Sequence, residues 1–152
     1  MKETERIAEL FEDIYDGDPW LGVSIMETLN RISPAMAAKK TAPWNSIWQI
    51  VHHMIRWRQN VLQRVHGKLT HEPPDNYMSD VPDPSETAWQ NMLKELKESQ
   101  EQWTKFLQQM NEADLAKIYP GNNSSYYKNI HGILQHDAYH LGQLVLLVKA
   151  LQ

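Results

Sequence analysis

Four stretches of the chain place their apolar residues three or four positions apart, and turns rich in Pro, Gly, Asp or Asn separate them. No other feature constrains the fold as strongly, because this is the period of helices that bury one face. The first stretch runs from about Thr4 to Tyr15, with Ile7, Leu10, Phe11 and Ile14 on one stripe, and Asp16-Gly17-Asp18-Pro19 breaks it. The second starts at Asn45 or Ser46, either of which can cap a helix. It carries Ile47, Ile50, Val51, Met54, Ile55, Val61, Leu62 and Val65, and Gly67 ends it. The third spans about Ser85 to Asn111 on Trp89, Met92, Leu93, Leu96, Trp103, Leu107 and Met110, with Lys94, Glu95, Lys97, Glu98 and Glu101 toward solvent. The last runs from about Ser125 to Leu151, with Ile130, Ile133, Leu134, Leu141, Leu144, Val145 and Val148 inward. Shorter helices are predicted from about Val23 to Asn30 and from Ser33-Pro34 through Ala38. Few β-type runs remain, so the reading is an all-α four-helix bundle.

Residues 70–84 contain Pro73, Pro74, Pro82 and Pro84 and read as a loop. Its length suits a segment that covers something as well as one that merely connects two helices.

At 152 residues the chain suits a single domain, 1–152, with one core. There is no cysteine, which excludes disulfides, thiolate metal sites and cysteine nucleophiles. A formal net charge of -4 with no dense Lys/Arg run argues against a nucleic-acid partner. The N-terminal residues are charged rather than apolar, and the longest apolar run, Leu144 to Val148, cannot span a membrane. The expectation is a soluble, cytoplasmic protein with no membrane partner.

Any metal site must then use His, Asp, Glu or backbone oxygen. His136 and His140 stand one helical turn apart, so two imidazoles on one face can aim at a single ion about 2.0–2.1 Å from each nitrogen. They lie at the edge of the apolar stripe, where hydrogen-bonded packing without a metal is the competing explanation. A third ligand would come from another helix. His52 and His53 flank the apolar face of the second long helix on opposite edges, and helical geometry does not choose between them. His66, His71 and His131 read as solvated or capping residues. The run His136-Asp137-Ala138-Tyr139-His140 also mimics the His-Glu-x-x-His zinc motif, but Asp is one methylene short for a general base. A di-iron site would need paired Glu-x-x-His motifs, and none occurs.

Two segments carry a resemblance. Trp44-Asn45-Ser46-Ile47-Trp48-Gln49-Ile50-Val51-His52-His53, followed by Trp57, resembles the second-helix motif of the DinB/YfiT-like family of metalloenzymes, and His136-Asp137-Ala138-Tyr139-His140-Leu141-Gly142-Gln143 resembles its last-helix motif. Trp20 with Gly22, and Trp89, are further points of similarity, so the resemblance covers nearly the whole chain. It implies an up-down-down-up bundle, often a homodimer, with one divalent metal ion, zinc or nickel, held by His53, His136 and His140. It is the resemblance that selects His53 over His52. It also implies chemistry with low-molecular-weight thiols such as bacillithiol, mycothiol or glutathione, although membership of a family does not fix function.

Three neutral imidazoles leave an ion with open positions, the arrangement of catalytic rather than structural sites. The expected function is a metal-dependent enzyme that transfers a low-molecular-weight thiol to a small electrophile, with metal-assisted hydrolysis as a close variant. Tyr139, Gln143 and Trp57 are expected in the pocket without a catalytic role, and Asp137 as a partner of a ligand or of a surface ion pair. The alternative is a non-catalytic metal- or small-molecule-binding dimer of the stress response.

Overall fold

The computed structural model describes all residues, 1–152. Four long helices dominate: α1 (Glu3–Tyr15), α4 (Ile47–Val65), α5 (Glu86–Gln109) and α6 (Tyr126–Leu151). Two short helices, α2 (Ile25–Leu29) and α3 (Pro34–Ala38), lie between α1 and α4. A 3-10 turn (Glu112–Ala116) and a two-stranded antiparallel ribbon, β1 (Ile118–Tyr119) with β2 (Ser124–Ser125), connect α5 to α6. No helix is long and apolar enough to cross a membrane.

Local chemistry sets the boundaries. Ser46 Oγ accepts from the Gln49 backbone N–H while Gln49 Oε1 accepts from the Ser46 N–H, so a capping box starts α4. Ser85 and Ser125 cap α5 and α6 in the same way, each accepting from the N–H three residues on. At the other end of α4 the chain leaves through Gly67 at φ +79°, where a side chain would be strained.

α4 packs against α5 and α6, and α1 packs against α5. The apolar core falls into two clusters. One gathers Ile25, Leu29, Ile47, Val51, Met54, Trp89, Leu141 and Leu144. The other gathers Ile7, Phe11, Val61, Val65, Trp103, Leu107, Ile130 and Ile133. Between them lies a buried polar layer. Arg58 on α4, wholly inaccessible to solvent, donates from Nε to Asp137 Oδ2 on α6 at 2.9 Å, from Nη1 to Ser99 Oγ at 3.2 Å and from Nη2 to Gln100 Oε1 at 2.6 Å, both on α5. A single guanidinium thus ties three helices at one level. The stripe predicted for α1 is narrower than expected, since Leu10 is 46% exposed while Ile7, Phe11 and Ile14 are buried.

Candidate metal centre

α6 carries His136 and His140 one turn apart, and α4 brings His53 against them. His136 Nε2 lies 2.9 Å from His53 Nε2 and 3.1 Å from His140 Nε2. The donor atoms of the three residues all fall within 4.8 Å of one another. Two nitrogens each about 2.0–2.1 Å from a shared ion, with bond angles between octahedral and tetrahedral, stand about 2.8–3.4 Å apart, so the spacing fits a divalent metal.

The hydrogen bonds around the site decide which nitrogens are free. His53 Nδ1 faces the Asn76 carbonyl oxygen at 2.6 Å, and His140 Nδ1 faces Gln143 Oε1 at 2.7 Å. An oxygen there can only accept, so both rings carry the proton on Nδ1 and present an Nε2 lone pair to the centre. The Gln143 amide is itself oriented, because its Nε2 donates to Tyr139 Oη at 3.2 Å. His136 Nδ1 is buried with no partner. Without an ion, the His136 Nε2–H would be the sole proton shared among three converging nitrogens, and Nδ1 would be left as a bare buried acceptor. A cation at the centre would pair with all three Nε2 lone pairs, and the His136 proton would then sit on Nδ1.

Electrostatics favour the neutral rings that metal binding needs. Burial pushes His136 down to about 3, assisted by the charges of His140, His53 and Arg58. Burial likewise pushes His140 down to about 4, against the hydrogen bond that its Nδ1–H donates to Gln143 Oε1. His53 is lowered too, chiefly by burial and in spite of its bond to Asn76.

His52, the other candidate on α4, is engaged elsewhere. Its Nε2 accepts from Arg56 Nε at 3.2 Å and its Nδ1 bonds the Tyr77 carbonyl at 3.0 Å. His52 is outside the cluster. The carbonyl partners of Nδ1 in both histidines come from the segment 70–84, so this loop does cover the site. Asn76 and Tyr77 are both at positive φ, 53° and 59°. That conformation is uncommon for Asn and costly for Tyr. It turns two successive carbonyls onto two successive histidines. Asp75 braces the turn by accepting from the Tyr77 N–H at 3.1 Å, and Trp57 Nε1–H donates to Asn76 Oδ1 at 2.9 Å.

Asp137 is not a partner of the histidines. It is fully buried on Arg58, and burial raises its carboxyl to about 6 with Arg58 pulling the other way. It is therefore not placed as the base of a His-Glu-x-x-His-like site. Of the remaining histidines, His66 caps α4 with Nδ1 on the Leu62 carbonyl at 2.7 Å, and His71 is exposed. His131 is half-buried against Tyr127 rather than solvated, with ring centroids 4.3 Å apart.

The three histidines border a cleft of about 930 Å³. Trp44, Ile50, Met78, Leu146 and Leu147 give it apolar walls, and Trp57, Tyr139 and Gln143 also line it. No Asp, Glu, Lys or Arg lines it. Such a space suits a small, uncharged, largely apolar molecule.

The model of the DinB superfamily matches residues 24–144. The chain belongs to the DinB superfamily. The matched span contains α4, the loop over His53 and most of α6, including every residue of the cluster. No curated protein and no solved structure matches the chain. Membership of this superfamily and the three-histidine cluster together are compatible with a metal-binding protein.

Two features escaped the sequence reading. The carbonyls of Asn76 and Tyr77 belong to the backbone and leave no mark in residue type, although the Pro-rich loop hinted at a cover. The partnership of Arg58 with Asp137 spans 79 positions, and neither residue type looks buried in isolation.

Proposed function

We propose that His53, His136 and His140 bind one divalent metal ion, zinc or nickel, and that the protein is an enzyme transferring a low-molecular-weight thiol to a small electrophile. The observation that carries this reading is the convergence of three Nε2 atoms beside an uncharged cleft, two of them fixed as acceptors by oxygens on Nδ1. When bound, the ion would supply Lewis acidity that lowers the pKa of a thiol or a water molecule held on it. Asn76 and Gln143 hold the ring orientations, and the buried rings stay neutral at physiological pH. The apolar walls orient the electrophile and exclude water, so that a thiolate rather than hydroxide attacks. The new C–S bond forms as the leaving group departs with the electron pair of the broken bond, and the thiol proton passes to solvent. The protein has no cysteine, so the nucleophile must come from outside.

On the same reading, residues 1–152 form one domain, the four long helices run up-down-down-up, and the protein works in the cytoplasm. Trp20, Leu21, Trp44 and Leu146 are all more than half exposed, which favours a homodimer and supports the alternative of a non-catalytic binding dimer.

Metal analysis by mass spectrometry of the native protein and of His53→Ala, His52→Ala and His140→Ala tests the site. The expected result is about one ion per chain, lost in the His53 and His140 variants and kept in the His52 variant. Consumption of glutathione with 1-chloro-2,4-dinitrobenzene, abolished by His140→Ala in a still-folded protein, tests the chemistry. Bound metal with no turnover of thiol or ester substrates would favour the binding dimer. Failure to retain zinc or nickel at all would remove the metal reading.

A further inference from the structure

Beside Trp57 and His136 lies a second, smaller recess of about 250 Å³. Trp57 and His136 line both spaces. The chemistry of the two differs. The recess includes Arg64, Lys128, Asn122, Asn129 and Ser124, and no acidic residue lines it. In a chain of net charge -4, that is a local reversal of sign.

The donors there are not all in use. Asn122 and Asn129 satisfy each other and the adjoining backbone, forming a fixed wall. Arg64 commits Nε to Asn60 and Thr70 and Nη2 to the exposed Glu72 at 3.3 Å, and these bonds leave Nη1 free. Lys128 is exposed and is not among the residues paired with a carboxylate. Arg64 is held over the Trp57 ring, 5.4 Å from its centroid, which sets its distance from the histidines.

Lys128, Gly132 and His136 follow one another at four-residue intervals on one face of α6. A rise of about 1.5 Å per residue puts the Lys128 backbone about 12 Å from that of His136. Gly132, between them, leaves the path open, since a Cβ there would meet nothing within 4 Å.

We infer that this recess anchors the carboxylate of an extended small molecule, two to three peptide units long, whose other end reaches His136, the member of the histidine cluster that lines the recess. Arg64 and Lys128 are the carboxylate's partners, and Gly132 is the gap through which the molecule lies. In terms of the function proposed above, on which this assignment of ends rests, the molecule is the thiol co-substrate, while the electrophile occupies the adjoining uncharged cleft.

The test uses S-methylglutathione, which keeps both carboxylates and cannot transfer sulfur, titrated calorimetrically into zinc-loaded protein. It should bind the native chain. Lys128→Glu should weaken binding by about tenfold or more, the scale of one charge-assisted contact. Gly132→Leu should weaken it comparably by filling the recess, and replacing a mid-helix glycine does not threaten folding. Zinc content should not change in either variant. No saturable binding to the native chain, or equal binding by both variants, overturns the inference. The thiol reading fails separately. If S-methylglutathione binds as described but glutathione is never consumed, the recess stands and the anchored molecule is a carboxylate-bearing substrate. If glutathione is consumed with the same KM in native and Lys128→Glu protein, the thiol chemistry stands and the recess is not its anchor. Cysteamine, which has no carboxylate, should show no rise in KM in Lys128→Glu.

Discussion

A neutral imidazole has one nitrogen lone pair to give, and the group that holds the other nitrogen decides which one it is. In His140 that group is Gln143 Oε1, 2.7 Å from Nδ1. Gln143→Ala removes the acceptor and lets the ring change tautomer or turn. The expected consequence is a loss of zinc affinity of about 10–100-fold, as for other outer partners of metal-binding histidines. Gln143→Glu keeps an acceptor oxygen in reach and should restore most of that affinity. Competition titrations against a chromogenic chelator measure both variants, and equal affinity in Gln143→Ala and native protein would show that Gln143 does not position the ligand. The same logic explains why helical geometry left His52 and His53 unresolved. Both flank the apolar face of α4, and what separates them is supplied by the carbonyls of Asn76 and Tyr77, which the wheel of α4 does not contain.

At the scale of elements, α4, α5 and α6 are joined by the polar layer around Arg58. Arg58 and Asp137 are both completely buried, so removing one leaves the other without compensation. Arg58→Ala should cost about 3–5 kcal/mol, whereas the double change to Arg58→Met and Asp137→Leu should cost much less, because it removes both charges and fills the volume. Urea unfolding of the two variants decides the matter, and a double variant as unstable as Arg58→Ala would point to the lost contacts with Ser99 and Gln100 instead. This layer was not legible in the sequence, whereas the helices that carry it were. Ser46, Ser85 and Ser125 cap the expected starts, and Gly67 marks an expected stop. Periodicity reports faces, and faces are continuous over whole helices. An ion pair between residues 79 apart depends on how two faces meet. The 3-10 turn at Glu112–Ala116 and the two-residue strands are likewise too short to show a period. His136 and His140 were legible as neighbours because a helix alone brings i and i+4 together.

For the molecule as a whole, the histidine cluster and the Asp137 carboxyl pull stability in opposite directions with pH. In the folded chain His136 is held down to about 3 and His140 to about 4, and His53 is also lowered, all mainly by burial. Unfolding releases these rings to the ordinary value of about 6.5. Below that pH the unfolded chain binds more protons than the folded one. The stability contributed by the neutral rings is therefore present above about pH 6.5 and is lost as the pH falls toward 4 and 3. Asp137 is raised to about 6 by burial, so its contribution has the other sign: it is present below about pH 4 and lost as the pH rises through 6. Three groups oppose one, and the metal-free protein should lose stability on acidification from pH 7 to 4.5. Thermal melting of chelator-treated protein, followed by circular dichroism, should show Tm falling across that interval. A His136→Leu, His140→Leu variant should flatten the fall, since only His53 then remains to be protonated on unfolding. Zinc should raise Tm of the native protein at pH 7 by mass action on the folded state, with no such rise in the double variant. A native Tm that stays level or climbs between pH 7 and 4.5 would mean that the rings are more hydrated than their burial implies, and that the cluster is not held ready for an ion.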